Sequence, residues 1–320
     1  MVQNELTKKY ISESRELACL AYVDFLKSYN FFDLIKSPSA PERIYYELQW
    51  SDKAGKVVNL ILKLLNQEQL VKLDGEIVSI GNRYEEFCKN HPYSFHSISK
   101  HNEISACLRY GLELLEELVE GGLGEWDLEN VIYRLEVALV YPSIKLIQPI
   151  LKDELSKLET KFPSICLLGA GGEMFVSALE PFVEEASQVR ILEISEEGVD
   201  RAHSFLNLEA KTSLYAPNVS KVDSIINEDF DFIFSNNYTA LFSDLAHWSK
   251  FFNQITKNNS RILLNTPTSD SPTLGIEPLY QLIEEVKSLP TTDDLIKYFK
   301  IAGFSSILRN PEISNLFHIK

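Results

Sequence analysis

The sequence predicts an α/β protein in two parts, a helical first half and a second half built on a parallel sheet, and three observations predict it. Apolar residues recur at helical spacing through most of the first 159 positions. After Pro163 the texture changes to short apolar strands alternating with helical segments, the βαβ rhythm of a parallel sheet. The first of those strands runs straight into a glycine cluster, where a ligand can lie against bare backbone. The expected division is a helical and winged-helix domain over 1–158 and a doubly wound α/β domain over 159–320.

In chain order, Leu17, Leu20, Ala21, Phe25, Phe31, Phe32 and Leu34 open the chain as one or two amphipathic helices, and SPSAP (Ser37 to Pro41) reads as a loop. Val57, Val58, Ile61, Leu64 and Leu65 form a buried helical stripe. After it, Leu70, Val71 and Leu73 approach Asp74-Gly75, and Ile77, Val78 and Ile80 leave it, which is a β-hairpin around a turn with positive φ. Helices followed by such a hairpin describe a winged helix. The stretch from His101 to Glu159 is helical again, broken at Gly121, Gly122 and Gly124, and Pro142 and Pro149 are expected to end or bend it. Strands are then expected at SICLLG, QVRILEI, TSLYAP, DFDFIFS and SRILLNT, with helices between them.

Composition narrows the partners. A formal net charge of -15 sets up a repulsive field against phosphate backbones and anionic lipid, and the lysines of the helix before the hairpin (Lys53, Lys56, Lys63) are scattered. Nucleic acid and membrane surfaces are therefore not expected partners, and a small molecule is. Neither a secretory h-region nor an apolar run of roughly 20 residues is visible, so a cytoplasmic protein is expected. Cys19, Cys88, Cys107 and Cys166 show no CxxC spacing and read as reduced thiols. His91, His96 and His101 recur at intervals of five, which puts them on no common helix face, so no metal site is expected.

The residues able to hold a cofactor follow the first two strands of the second half. Ile165 to Leu168 leads into Gly169-Ala-Gly171-Gly172, and Phe175, Val176, Leu179 and Phe182 continue at helical spacing. A tight structural turn uses the same glycines. Glu193 closes the next strand, about two dozen residues after Gly169, where a carboxylate can accept both hydroxyls of a ribose. The full dinucleotide fingerprint is absent, since Met174 stands where a third glycine is expected, and a mononucleoside-sized ligand is preferred.

Taken together these segments resemble the class I S-adenosylmethionine-dependent methyltransferases, and their order resembles the winged-helix O-methyltransferases of small-molecule metabolism. YNFFDLI, LILKLLNQEQLVKLDGEIVSI, LLGAGGE, LEIS, FDFIFSNNY and TTDDLIKYFKIAGFSSI carry the resemblance over most of the chain. It implies a Rossmann-like methyltransferase domain behind the N-terminal helical/winged-helix domain, with S-adenosyl-L-methionine as cofactor and a homodimer formed through the N-terminal part. It implies that Gly169, Gly171 and Gly172 face the methionine portion, Glu193 the ribose and Asn218 the adenine. Two positions depart from the family's pattern: Leu167 replaces the usual acid of the first strand, and Glu173 stands where many members have a further glycine.

Methyl transfer is an in-line displacement that requires the nucleophile and the methyl group held near contact in a dry site, and a hydroxyl nucleophile also needs a base. The family often supplies a histidine after the fourth strand. Here LAHW places Ala246 at that position and His247 one residue late, a rotation of roughly 100° on a helix. His247 is the candidate base, histidine being the side chain that exchanges protons near neutrality. Asn236 is assigned to the cofactor site, and Asn236 and Tyr238, after the fourth strand, are also placed to position substrate or to shape a turn. Two other readings stay open: attack at another sulfonium carbon, with aminobutanoyl transfer or cyclisation releasing methylthioadenosine, and a degenerate domain kept for binding or regulation.

Overall fold

A computed structural model describes residues 2–97, 102–121, 128–168, 182, 186–192, 212–215, 229–236, 245–282 and 289–320. Packing divides the chain into two units: residues 1–128 with 272–284, and residues 129–271 with 285–320. This packing division runs along a different line from the functional boundary expected at 158/159. The long helix Leu128–Ser156 joins the sheet-bearing unit, and a segment that follows the fifth parallel strand joins the helical one.

The helical unit opens with α1 (Val2–Ser28) and a single turn, α2 (Phe31–Leu34), followed by α3 (Pro41–Glu47), α4 (Asp52–Gln67), α5 (Tyr84–Asn90) and α6 (Glu103–Val119). The expected stripe on α4 is buried as read: Val57, Val58, Ile61, Leu64 and Leu65 are all in the core. The Ser51 side chain accepts from Ala54 N–H and starts that helix, as a serine N-cap does. Phe31 and Phe32 seat α2 in an aromatic cluster, in which Trp50 stacks on Phe31 and Tyr45 and meets Tyr29 edge-on.

The hairpin follows α4 as expected. Strands β1 (Val71–Asp74) and β2 (Ile77–Ile80) pair antiparallel from Val71↔Ile80 to Asp74↔Ile77, and Gly75 supplies the positive φ of the turn. Asn66 on α4 accepts from Leu73 N–H at 2.9 Å, fixing the hairpin to its helix. The SPSAP loop adds one antiparallel bridge, Ser39↔Val78.

Residues 272–284 pack on α4 and α6 with a 3-10 turn, Glu277–Leu282. The buried Glu277 carboxylate accepts from the backbone N–H groups of Thr273, Leu274 and Gly275 at 2.7, 2.9 and 2.7 Å, which holds the segment in one conformation. Tyr22 donates to Gly275 O, and Arg15 donates to Pro272 O while also pairing with Glu68. At Gly275 the backbone takes φ +87°, and a Cβ there would stand 2.7 Å from that of Ala18.

The sheet-bearing unit contains α7 (Leu128–Ser156), which runs through Pro142 and Pro149 without ending at either. Each proline removes one donor, but burial of Leu139, Leu146, Ile147, Leu151 and Leu155 along the helix outweighs the loss. All five expected strands are present: β3 (Ser164–Leu168), β4 (Gln188–Leu192), β5 (Thr212–Tyr215), β6 (Phe230–Asn236) and β7 (Thr256–Asn265). They pair in parallel. Two further strands, β8 (Ile307–Arg309) and β9 (Leu316–Ile319), complete a seven-stranded sheet of order β5-β4-β3-β6-β7-β9-β8. β9 is antiparallel to both its neighbours.

One face of the sheet presents Cys166, Leu168, Ile233, Ile262, Leu264, Phe317 and Ile319. These pack against Trp248, Phe251 and Phe252 of α8 (Leu245–Gln254) and Leu295 and Phe299 of α9 (Thr292–Ile301). On the other face, Glu154 of α7 accepts from Arg261 at 3.1 Å and from Lys157 at 2.8 Å. Cys19, Cys107 and Cys166 are buried and Cys88 half-buried, all as thiols, and burial pushes Cys19 up to about 12. No helix among the described residues is long and apolar enough to cross a membrane.

At the foot of the sheet, Ser164 donates through its N–H and its hydroxyl to Asp231, both at 2.8 Å, and Lys257 donates to Asp231 at 2.9 Å. Partial burial opposes ionisation of Asp231, but these donors outweigh it and hold the carboxyl below its ordinary value. A carboxyl whose folded value lies below its unfolded one contributes stability above the ordinary range and loses it as the pH falls through the folded value. Asp231→Asn is therefore expected to flatten the acid limb of the stability curve below about pH 4, measured by urea unfolding across that range. Gly275→Ala is expected to destabilise the protein by about 2 kcal/mol, since alanine at positive φ is strained and its methyl group meets Ala18; a urea midpoint equal to wild type would contradict this packing.

Candidate functional site

The order of the strands locates the site. From β3 the chain goes first to β4 and β5 on one side and then crosses to β6 and β7 on the other, so the direction of winding reverses between β3 and β6. In open parallel sheets, ligands bind outside the carboxyl ends of the strands at this reversal. Register brings those ends level: Leu168 pairs with Leu192 on one side and with Ser235 on the other, Leu192 pairs with Tyr215, and Asn236 pairs with Asn265.

Most of the residues expected to hold a cofactor come, in the sequence, shortly after these ends. Gly169, Gly171, Gly172, Glu193, Asn218 and Tyr238 all lie outside the described residues. Their places in the chain are nonetheless set by what precedes them. Gly169 follows Leu168, the last residue of β3; Glu193 follows Leu192, the last of β4; and Asn218 comes three positions after Tyr215, the last of β5. Leu167, at the position of the family's usual acid, is buried in β3 between Ile191 and Phe234.

Asn236 and His247 are described. Asn236 closes β6, is buried, and accepts through Oδ1 from Asn265 Nδ2 at 2.7 Å. His247 sits in the first turn of α8 and is exposed, whereas the next residues, Trp248 and Ser249, are buried. The one-residue offset read from LAHW therefore has the consequence that helical geometry demands: the side chain is directed away from the face packed on the sheet.

The same edge carries Ser235, which the sequence places after the fourth strand where ligands of such folds bind, and further polar residues to which sequence reasoning assigned no role. Ser235, Asn265, Thr266 and Thr268 are all buried, Thr266 completely so. Thr266 N–H donates to Asn315 O at 2.8 Å and extends the ladder past β7, so alternation places Thr266 with Leu264 on the face shared by Ser235 and Ile233. Asn236 and Asn265 lie on the opposite face. Among the described residues the hydroxyl oxygens of Ser235, Thr266 and Thr268 have no hydrogen-bond partner, although a buried unpaired hydroxyl costs about 1–3 kcal/mol. The local signal was present in the sequence as NTPT directly after an apolar strand, a change from apolar to hydroxyl residues at a strand's carboxyl end.

Seven strands in this order, with the antiparallel β9 between β7 and β8, define the Rossmann-like fold of the methyltransferases. Solved structures sharing it include the CurJ carbon methyltransferase, at TM-score 0.65 and 13% identity over 99% of this chain and 92% of that one. The CMeT domain of the citrinin polyketide synthase matches at TM-score 0.61 and 14% identity, covering 99% and 94%. An O-methyltransferase family 2 protein from Planctomyces limnophilus, solved with apigenin, matches at TM-score 0.55 and 14% identity, also covering 99% and 94%. No family model matches the chain, and no curated protein matches it in sequence. The likeness is thus carried by topology along nearly the whole chain, with few identical residues.

Proposed function

We propose that the protein transfers a methyl group from S-adenosyl-L-methionine to a small molecule. The observation that carries this reading is the reversal of winding between β3 and β6, with the glycine cluster following β3 and Glu193 following β4. In it, Gly169, Gly171 and Gly172 admit the methionine portion of the cofactor, Glu193 accepts the ribose hydroxyls, and Asn218 contacts the adenine. Asn236 borders the cofactor, and Tyr238 orients the acceptor. The bound cofactor supplies an electrophilic methyl group; the chain's own task is to hold the acceptor in line with it and to exclude water.

For an acceptor hydroxyl, His247 is the proposed base, and its place in the first turn of α8, shortly after the end of β6, supports this. The N-terminal part, 1–158, is proposed to supply substrate contacts and the interface of a homodimer. The helix α4 with the β1–β2 hairpin and the Ser39↔Val78 bridge supports reading that part as a winged helix. The negative charge and the thiol cysteines favour a cytoplasmic enzyme acting on a small molecule. Solved structures of this fold include carbon and oxygen methyltransferases by name, so acceptors of both kinds belong in the substrate panel.

Calorimetric titration with S-adenosylmethionine and with S-adenosylhomocysteine is expected to show micromolar binding, and absence of binding by either would overturn the proposal. Glu193→Ala is expected to weaken binding at least about tenfold through loss of a charge-assisted hydrogen bond; an unchanged affinity in the folded variant would remove that role. With a hydroxyl acceptor in hand, His247→Ala should lower kcat by about 100-fold or more while leaving cofactor affinity intact, and unchanged turnover would remove the histidine from the mechanism. Product mass distinguishes methyl transfer, which releases S-adenosylhomocysteine, from chemistry that releases methylthioadenosine.

A further inference from the structure

We infer that the hydroxyls of Ser235, Thr266 and Thr268 form the acceptor-binding edge of this site and select an acceptor that presents an uncharged oxygen group, such as a carbonyl, to them. The inference rests on the methyl-transfer reading and adds to it the chemical class of the acceptor. All three side chains are at most 1% exposed, and among the described residues each hydroxyl oxygen is without a hydrogen-bond partner. Hydroxyl side chains in a sheet interior ordinarily bond to a nearby carbonyl or are replaced by valine or alanine of similar shape. Three that do neither, at the carboxyl ends of two adjacent strands next to a winding reversal, are donors held for a group that is not part of the chain.

The surrounding bonds keep these hydroxyls in place. Asn265 is tied to Asn236, Thr266 N–H to Asn315 O, and Ser269 N–H to Pro290 O at 2.9 Å; Asp270 accepts from both the N–H and the hydroxyl of Thr292. The segment 265–270 is therefore anchored on both sides of Thr266 and Thr268, so these hydroxyls are held in place before a ligand arrives.

Charge decides the ligand class. Ser235, Asn236, Asn265, Thr266 and Thr268 are all neutral, and the nearest acid along the chain, Asp270, is engaged at the start of α9. A carboxylate or an ammonium group brought here would lose its hydration and gain no countercharge from these five side chains, which a neutral oxygen group avoids. The β7 end lies beyond β6 from the end of β3, after which the glycines follow in the chain; in this reading Thr266 and Thr268 fall on the acceptor side and Ser235, paired with Leu168, between the acceptor and the cofactor.

The test uses the full chain and three probes of one shape, acetophenone, benzoate and benzylammonium, followed by ligand-observed NMR with S-adenosylhomocysteine present. Acetophenone is expected to bind at least about threefold more tightly than either charged probe, and Thr266→Val, which keeps the shape and removes the hydroxyl, to weaken it at least about threefold. Thr266→Ser should restore binding. The unliganded Thr266→Val protein should melt at the wild-type temperature or above, because an unpaired buried donor has been removed. Equal binding of benzoate, unchanged acetophenone affinity in Thr266→Val, or a lowered melting temperature, the mark of a hydroxyl that serves only an internal water, would each overturn the inference. Absence of S-adenosylhomocysteine binding would instead strike the methyl-transfer reading, and the hydroxyl dependence of acetophenone binding would then be read without it.

Discussion

The pairing of β3 with strands on both sides is the constraint on which the rest of this structure depends. Ile165, Cys166, Leu167 and Leu168 are buried on both faces of the sheet, and each pairs with a residue of β4 and one of β6. A strand so placed must be apolar throughout, as parallel strands covered on both faces are, and it leaves its successor nowhere to go but past the sheet's edge. In the chain, the glycine cluster begins where the apolar run ends. The winding reversal and the level carboxyl ends of β3, β4 and β6 follow from that one register.

The rest of the sheet-bearing unit secures the register from both faces and from below. Trp248, Phe252 and Phe299 interlock edge-to-face or tilted over the layer formed by Leu168, Ile233 and Leu264. Beneath it, Asp231 ties β6 to Ser164 at the start of β3 and to Lys257 in β7, so neighbouring parallel strands cannot slip by a residue without breaking a charged network. Such a slip would turn every core residue of the strand to the opposite face.

The handling of buried polar groups separates framework from site. Glu277 accepts from three backbone N–H groups, Glu154 from a lysine and an arginine, and Asp231 from a serine and a lysine, so these three carboxylates are compensated within their own units. The hydroxyls of Ser235, Thr266 and Thr268 are not. Three buried hydroxyls without a partner among the described residues therefore gather at and just past the carboxyl ends of β6 and β7, where the candidate site lies.

Local pattern alone was enough to read the five parallel strands, the α4 stripe and the Asp74-Gly75 hairpin, because each is written in residues adjacent in the chain. The continuation of α7 through two prolines, the antiparallel β9, and the packing of 272–284 with the helical unit were not legible, since each depends on partners far along the sequence. The site divides in the same way. Sequence determined which side chains could serve a cofactor, Gly169, Gly171, Gly172 and Glu193 among them. Tertiary structure decided that Ser235 stands beside Leu168, that Asn236 is bound to Asn265, that His247 is exposed, and that the Thr266 and Thr268 hydroxyls are buried without partners among the described residues, because strand register and burial arise only when distant segments pair.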